Sequence, residues 1–287
     1  MIIRLFAWVV VFLLLVSSVS AQEQFRQAAE QGDADAQNQL GIMYNNGEGV
    51  SQDFIEAVRW FRSAAEQGLA AAQYNLGIMY NEGKGVPHDD SEAIRWFQLA
   101  AEQGHINAQF NMGYMYDNGR GVSRNLAEAA RWFQLAAEQG DVDAQHNLGV
   151  MYSNGEGVPQ SYAEARRWYR LAAAQGNSSS QSNLGGMYGN GRGVPQDFAE
   201  ALRWYYLAAE QGNAGAQFNL GLMYGKGEGV PRDDVEAYIW FSLAVANNFP
   251  TTDAASARDI TSSNLSSADL TAAQQEIARR HKTMRSR

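Results

Sequence analysis

The side chains best suited to catalysis or metal binding in this 287-residue sequence are four histidines and a set of regularly repeated carboxylates. The histidines are His88, His105, His146 and His281, and none is spaced from another histidine or a carboxylate as metal ligands are. The sequence contains no cysteine, which rules out thiolate metal sites and disulfides. It therefore predicts neither a bound metal nor a cofactor.

Motifs that handle acyl or phosphoryl groups are also missing. The sequence has no G-x-S-x-G nucleophile motif and no S-x-x-K motif of the serine hydrolases that act on β-lactams. Its glycine-rich segments, such as residues 47–50, lack the Lys-Ser/Thr pair of a phosphate-binding loop. The carboxylate of Asp53 is replaced by Asn125 and Ser161 in later copies, an exchange that suits a helix N-cap but not a catalytic acid. The sequence therefore predicts a protein that is not an enzyme.

Residues with binding potential lie on one face of a predicted helix, helix A, that recurs six times. Three positions on this face change from copy to copy and include aromatic and aliphatic side chains, which favour a partner-binding groove. The predicted groove residues are Asn38, Ile42, Asn45, Tyr74, Ile78, Asn81, Phe110, Tyr114, Asp117, His146, Val150, Phe218 and Leu222. The alternative is that Tyr74, Ile78, Phe110 and Tyr114 pack between neighbouring A helices and bind no partner.

These positions are set by a 36-residue unit that is repeated without gaps. The six units span residues 33–68, 69–104, 105–140, 141–176, 177–212 and 213–248. Trp60 recurs in the same register as Trp96, Trp132, Trp168, Trp204 and Trp240. The spacing of Ala57, Trp60, Phe61 and Ala64 predicts that this tryptophan lies on the buried face of a second helix, helix B.

Helix A and helix B are predicted to form an antiparallel hairpin. Ala36 and Leu40 belong to the buried stripe of helix A, and two glycines at fixed places after it indicate backbone with positive φ. Asp53 and Glu56 form a capping-box pattern at the start of helix B. Gly41 lies on the buried side of helix A, so we expect helix B to approach closely there.

The two ends of the chain depart from the repeat. Residues 1–21 have the short basic start, apolar run and small residues of a secretory signal cut after Ala21; the alternative is an uncleaved N-terminal anchor. Residues 22–32 match half of a helix B. Residues 249–287 are expected to form capping helices, with a capping box at Thr271 and a basic, solvated tip.

The predicted signal indicates a periplasmic or secreted protein. No later segment is apolar and long enough to span a bilayer, so stable membrane insertion is not expected once the signal is removed. The formal net charge of −9 argues against a nucleic-acid partner, whose phosphates would repel the protein.

The unit closely resembles the Sel1-like repeat, a relative of the tetratricopeptide repeat with a longer, glycine-bearing loop. The resemblance rests on A-x-x-x-L-G-x-M-Y-x-x-G-x-G-V at residues 72–86 and D-x-x-E-A-x-R-W-F-x-x-A-A-E-Q-G at residues 53–68, and it covers residues 25–248. It implies an all-α fold, a right-handed α-solenoid of antiparallel helix pairs whose A helices line a concave groove.

The resemblance also implies a function. Members of this family are mostly adaptors, so we expect an exported interaction scaffold that binds a protein or peptide segment. Some cysteine-rich secreted members bind or slowly hydrolyse β-lactams, which makes a β-lactam or cell-wall-directed hydrolase or binder the alternative. The absence of cysteine here is a departure from those members. A third possibility is a secreted binding module with a host or surface partner.

Overall fold

The computed structural model describes residues 23–249 and 252–285, and every regular element among them is a helix. The predicted all-α class and the pairing of successive helices into hairpins are confirmed. The predicted signal peptide, residues 1–21, and its cleavage site lie outside the described residues.

The chain divides into two compact units, residues 1–139 and 140–287. The described part of the first unit contains α1 (residues 23–30), α2 (Ala34–Asn46), α3 (Phe54–Glu66), α4 (Ala70–Glu82), α5 (Asp90–Glu102), α6 (Ile106–Asn118) and α7 (Leu126–Glu138). The second contains α8 (Val142–Asn154), α9 (Tyr162–Ala174), α10 (Ser178–Asn190), α11 (Phe198–Ala209), α12 (Ala214–Lys226), α13 (Asp234–Ala246), α14 (Asp253–Ser262) and α15 (Ser267–Arg285). From α2 to α13, even numbers are helices A and odd numbers are helices B.

The loop inside each hairpin is held by backbone hydrogen bonds. Gly47 ends α2 in the left-handed conformation with φ of 74°, and Gly49 follows with φ of 73°. The side chain of Asp53 accepts the backbone N–H of Glu56, as the predicted cap requires. A capping box also requires the Glu56 carboxylate to accept the backbone N–H of Asp53, and this part of the prediction is wrong. That N–H donates instead to the carbonyl of Tyr44 at 2.9 Å. The same bond closes the other five loops.

Helices A and B approach as closely as the glycine on helix A predicts. A methyl group added at Gly41 would lie 2.6 Å from ring carbons of Phe61, well inside van der Waals contact. The tryptophans join one hairpin to the next, since Trp96 of α5 packs in one cluster with Ala57 and Val58 of α3. The core of each unit therefore lies between its successive helices.

The C-terminal helices differ from the prediction in their bounds. Helix α15 begins four residues before Thr271, which lies inside it, and its first turn is capped by Ser266. The Ser266 hydroxyl accepts the N–H of Asp269 at 3.2 Å and donates to its carboxylate at 2.7 Å. Both α14 and α15 pack against α13.

The expectation that the basic tip is wholly solvated is wrong for Arg280. Its guanidinium lies 4.9 Å from the ring centroid of Trp240 and donates to Glu236 at 2.7 Å. In earlier repeats the helix's own arginine has this place; Arg59, for example, lies over Trp60 and pairs with Glu56. The last repeat has the buried Ile239 at the position of this arginine, so Arg280 of α15 contacts Trp240 and Glu236 in its place.

Candidate partner-binding groove

The first unit contains nine of the predicted groove residues, on α2, α4 and α6. None of their side chains is fully buried, and Tyr114 is the most exposed, with 43 % of its surface accessible. These nine residues are Asn38, Ile42, Asn45, Tyr74, Ile78, Asn81, Phe110, Tyr114 and Asp117. They are held in place by the helix A core stripe beneath them, which includes the fully buried Leu76 and Met112.

Four of the predicted residues meet in one open pocket between α4 and α6. Its volume is about 240 Å³. Ile78 and Asn81 line it from α4, and Phe110 and Tyr114 line it from α6. The remaining lining residues, which the sequence did not single out, are Phe97, Asn111, Met115 and Arg120.

The aromatic residues at the bottom of this face rest on core rings. The Phe110 ring centroid lies 5.6 Å from that of the buried Phe133, and the Tyr74 centroid lies 5.9 Å from that of the buried Phe97. Tyr74 also stacks on the half-buried His105, with centroids 4.6 Å apart. Tyr74 and Ile78 also pack against the core cluster around Phe97. Part of the set therefore does support packing, as the alternative interpretation holds, while Tyr114 remains open. The binding role of the set stays a prediction.

A charged network lies at the edge of the pocket. Two nitrogens of Arg120 donate to the carboxylate of Asp90, at 2.7 and 3.2 Å, and His88 Nε2 lies 3.3 Å from the same carboxylate. The hydrogen bonds to Asp90 raise the pKa of Arg120, so its charge is present at any physiological pH. The pocket thus combines an aromatic floor, amide groups and a partly compensated cation.

The second unit has a smaller pocket at the corresponding position, with a volume of about 130 Å³. Its lining includes the predicted Leu222, with Tyr205 and Asn219 in the places of Phe97 and Asn111. Glu228 stands where the first unit has Arg120, and it pairs with Lys226 at 3.8 Å. The two pockets therefore share shape-forming residues but differ in charge.

The other predicted residues of the second unit contact neighbouring side chains. His146 Nδ1 lies 2.8 Å from the hydroxyl of Ser180, and burial lowers the pKa of this histidine. A neutral imidazole therefore faces Ser180 at neutral pH. Phe218 stacks on Phe249 with centroids 4.6 Å apart. Val150 is half-buried.

Sequence reasoning missed a row of asparagines on helix A, because it looked only for positions that change. In every copy of helix A, a polar residue directly precedes the buried Leu or Met. In the first copy it is the exposed Gln39, and in the other five it is a half-buried asparagine: Asn75, Asn111, Asn147, Asn183 and Asn219. Asn75 donates to Asn38 at 2.9 Å. Asn111 and Asn219 line the two pockets. Since each amide offers a donor and an acceptor, this row suits peptide groups of a bound chain.

The described residues offer little else for chemistry. Within residues 23–249 and 252–285, no three His, Asp or Glu side chains lie close enough together to hold a metal ion. In the same part of the chain, no helix combines the length and apolar character that a membrane crossing needs.

A family model described as the Sel1 repeat matches the chain six times in succession. The matches cover residues 34–69, 70–105, 106–141, 142–177, 178–213 and 214–249. The chain belongs to the Sel1 repeat family. Each Sel1 match begins one residue later than the unit predicted from the sequence.

A solved structure of the same family is similar to this chain. A Sel1 repeat protein from Oxalobacter formigenes is 37 % identical, with 78 % of this chain and 99 % of that one covered and a TM-score of 0.64. The protective antigen c5321 of uropathogenic Escherichia coli, described as having an SLR fold, is 29 % identical over 92 % of this chain and 87 % of its own, with a TM-score of 0.48. Comparison with curated proteins finds no match.

The Sel1 repeat fold bears on function at a general level. Such solenoids generally serve as protein-interaction scaffolds, and Sel1 repeat proteins are typically not enzymes. The repeats therefore point to protein partners for this chain.

Proposed function

We propose that this Sel1 repeat protein is an exported, non-enzymatic scaffold that binds an extended protein or peptide segment along its helix A face. The observation that carries the proposal is the pocket of about 240 Å³ in which Ile78, Asn81, Phe110 and Tyr114 come together. Ligand sites for drug-sized molecules are usually about 300–1,000 Å³ and more enclosed. A smaller, open pocket suits a single anchoring side chain of a longer partner.

The asparagine row supports an extended partner. A chain that crosses from one helix A to the next has unpaired N–H and C=O groups, which Asn75 and Asn111 can satisfy in turn.

The binding proposal is tested by selecting peptides from a random library against the purified protein and measuring their affinity for variants. Tyr114→Ser should weaken the selected peptides by about tenfold or more, since it removes an exposed aromatic anchor. Ile55→Ser is the matched control, because Ile55 is an exposed apolar residue on helix B. Unchanged affinity for Tyr114→Ser, with loss for Ile55→Ser, would overturn the choice of face.

Export is tested separately from binding. Cleavage after Ala21 predicts a protein in the periplasm or medium whose N-terminus is Gln22. Full-length protein that stays in the cytoplasm would contradict it. The non-enzymatic part of the proposal is checked by incubating the purified protein with a chromogenic β-lactam, and turnover of that substrate would refute it.

A further inference from the structure

The helix A pocket of the second unit contains a buried hydroxyl group that has no hydrogen-bond partner. Tyr205 of α11 lines this pocket of about 130 Å³ and is only 6 % exposed. Its ring lies against Gly185 of α10, and a methyl group added at Gly186 would lie 3.5 Å from its hydroxyl. In the described part of the chain, no residue forms a hydrogen bond with this hydroxyl. Because an unpaired polar group in the interior costs stability, the hydroxyl marks a place where a ligand can bind.

The preceding repeat shows the same position with its hydroxyl paired. Tyr169 has the equivalent place in α9, and its hydroxyl interacts with the side chains of Ser153 and Asn183. One repeat later, the residues equivalent to these two partners are Gly189 and Asn219. The missing serine hydroxyl therefore both removes a partner from the later tyrosine and leaves space beside it.

The backbone of α10 does not require glycine at the two positions that open this space. Gly186 and Gly189 lie inside the helix, and neither has a positive φ. A methyl group at Gly189 would lie 3.6 Å from Cβ of Ala201, an ordinary contact distance. No other repeat has glycine at both positions. Since glycine is a poorer helix former than alanine, what the pair provides is access to the tyrosine hydroxyl.

The other polar groups of the pocket are a neutral amide and two opposite charges. The side chain of Asn219 on α12 lines the pocket and, among the residues that the structure describes, has no hydrogen-bond partner either. Lys226 and Glu228 also line it and pair with each other at 3.8 Å, so their charges offset one another. Burial raises the pKa of Tyr205 to about 12, so its hydroxyl keeps its proton at neutral pH and can donate.

These groups favour a neutral ligand group that both donates and accepts hydrogen bonds. A carboxylate only accepts, so it would leave the carbonyl oxygen of Asn219 unpaired and would face the carboxylate of Glu228. An ammonium or guanidinium group only donates and would face Lys226. A carboxamide has an oxygen for the Tyr205 hydroxyl and an N–H for the Asn219 oxygen. The pocket volume equals that of about four water molecules, which is enough for a carboxamide and the carbon next to it.

We propose that this pocket binds the side-chain carboxamide of a glutamine or asparagine in the partner segment. The inference rests on the proposed function and adds which side chain the second unit selects. The methylene groups of that side chain contact Leu222 and Met223, which also line the pocket. The pocket of the first unit lacks this chemistry, because Phe97 stands at the position of Tyr205 and has no hydroxyl.

The probe is glutamine blocked as its N-acetyl N-methylamide, titrated at pH 7 into protein labelled with ¹³C at the methionine methyl groups and followed by NMR. A saturable shift is expected at Met223, but not at Met115, which lines the pocket of the first unit. Glutamate blocked in the same way has the same length and should bind about threefold or more weakly. Tyr205→Phe should weaken glutamine binding by about threefold to tenfold. It should fold normally, since four other repeats have phenylalanine at this position.

Gly189→Ser is the sharper variant, because it restores the serine that the preceding repeat has at this place. The new hydroxyl should pair with Tyr205 and abolish the shift at Met223, while the thermal midpoint stays equal or rises. Tyr169→Phe is the control and should leave binding unchanged, because the hydroxyl that it removes already has partners.

Three results would overturn the proposal: no saturable shift at Met223, equal binding of blocked glutamate, or binding that survives Gly189→Ser. The blocked residue tests this pocket without any selected peptide. Tyr114→Ser should leave its binding unchanged, so failure of this pocket and failure of the groove in the first unit can be told apart.

Discussion

Replacing Gly113 by alanine should destabilise the first unit, although alanine is the better helix former. Gly113 lies inside α6, where the intrinsic preference favours alanine by about 0.8–1 kcal/mol. The new methyl group would lie 2.6 Å from Phe133 Cδ1 and 2.9 Å from Cγ. The Phe133 ring cannot simply turn away, because it is buried and packed against Phe110. Overpacking of this kind costs about 1–3 kcal/mol, so the net change is a loss.

The assay is urea denaturation followed by circular dichroism, with amide hydrogen exchange to locate the loss in α6 and α7. Gly186→Ala is the matched control on α10, since its methyl group would lie 3.5 Å from the hydroxyl of Tyr205, at ordinary contact distance. Gly186→Ala should therefore be neutral or stabilising by up to about 1 kcal/mol. Adding Phe133→Leu should recover part of the stability lost in Gly113→Ala. Equal stabilisation by both alanine substitutions would refute the packing argument.

Three further predictions concern the core, the C-terminal cap and pH. Trp132→Ala should lower the free energy of unfolding by about 3–5 kcal/mol, measured by urea denaturation. A free energy of unfolding equal to that of the unsubstituted protein would contradict the role of Trp132 in joining neighbouring hairpins. Arg280→Met should lower the thermal midpoint and deprotect α15 in hydrogen exchange, because it leaves Glu236 without its partner. His105 Nδ1 accepts the N–H of Ala108 to cap α6, and burial lowers the pKa of this histidine below its ordinary 6.5. As the pH falls, the unfolded protein therefore takes up a proton at this histidine before the folded protein does. The contribution of neutral His105 to the stability of the fold is complete above about pH 6.5 and is lost as the pH falls through the lower pKa of the folded state. His105→Asn keeps a capping acceptor and should make the thermal midpoint less sensitive between pH 7 and 5; an unchanged pH profile would count against this.

The hairpins could be predicted because their signals are local and occur six times. The cap at Asp53, the left-handed Gly47 and the close contact of Gly41 with Phe61 each depend on residues within one unit. Repetition made these signals stand out from chance. The second half of the capping box failed because Tyr44 offers a carbonyl to the same N–H, and only the folded loop brings the two together.

The candidate site was predicted less completely. Variation between copies led to Ile78, Phe110 and Tyr114, and the structure brings these three into one pocket. It did not reveal Asn111, since that position hardly changes, or Arg120, which lies in the following loop. Comparing only the positions that differ favours specificity-determining residues and overlooks polar groups that every copy keeps.

The repeat period, the helix ends and the buried stripes follow from the amino-acid order alone, because hydrogen bonds and side-chain spacing over a few residues decide them. The tertiary structure decided which side chains from distant segments meet. Arg280 reaches Glu236 across 44 positions to replace an arginine that the last repeat lacks. No periodic pattern in the sequence predicts such a contact, because α15 is not one of the repeats. Its position depends on the apolar surface that α11 and α13 leave uncovered.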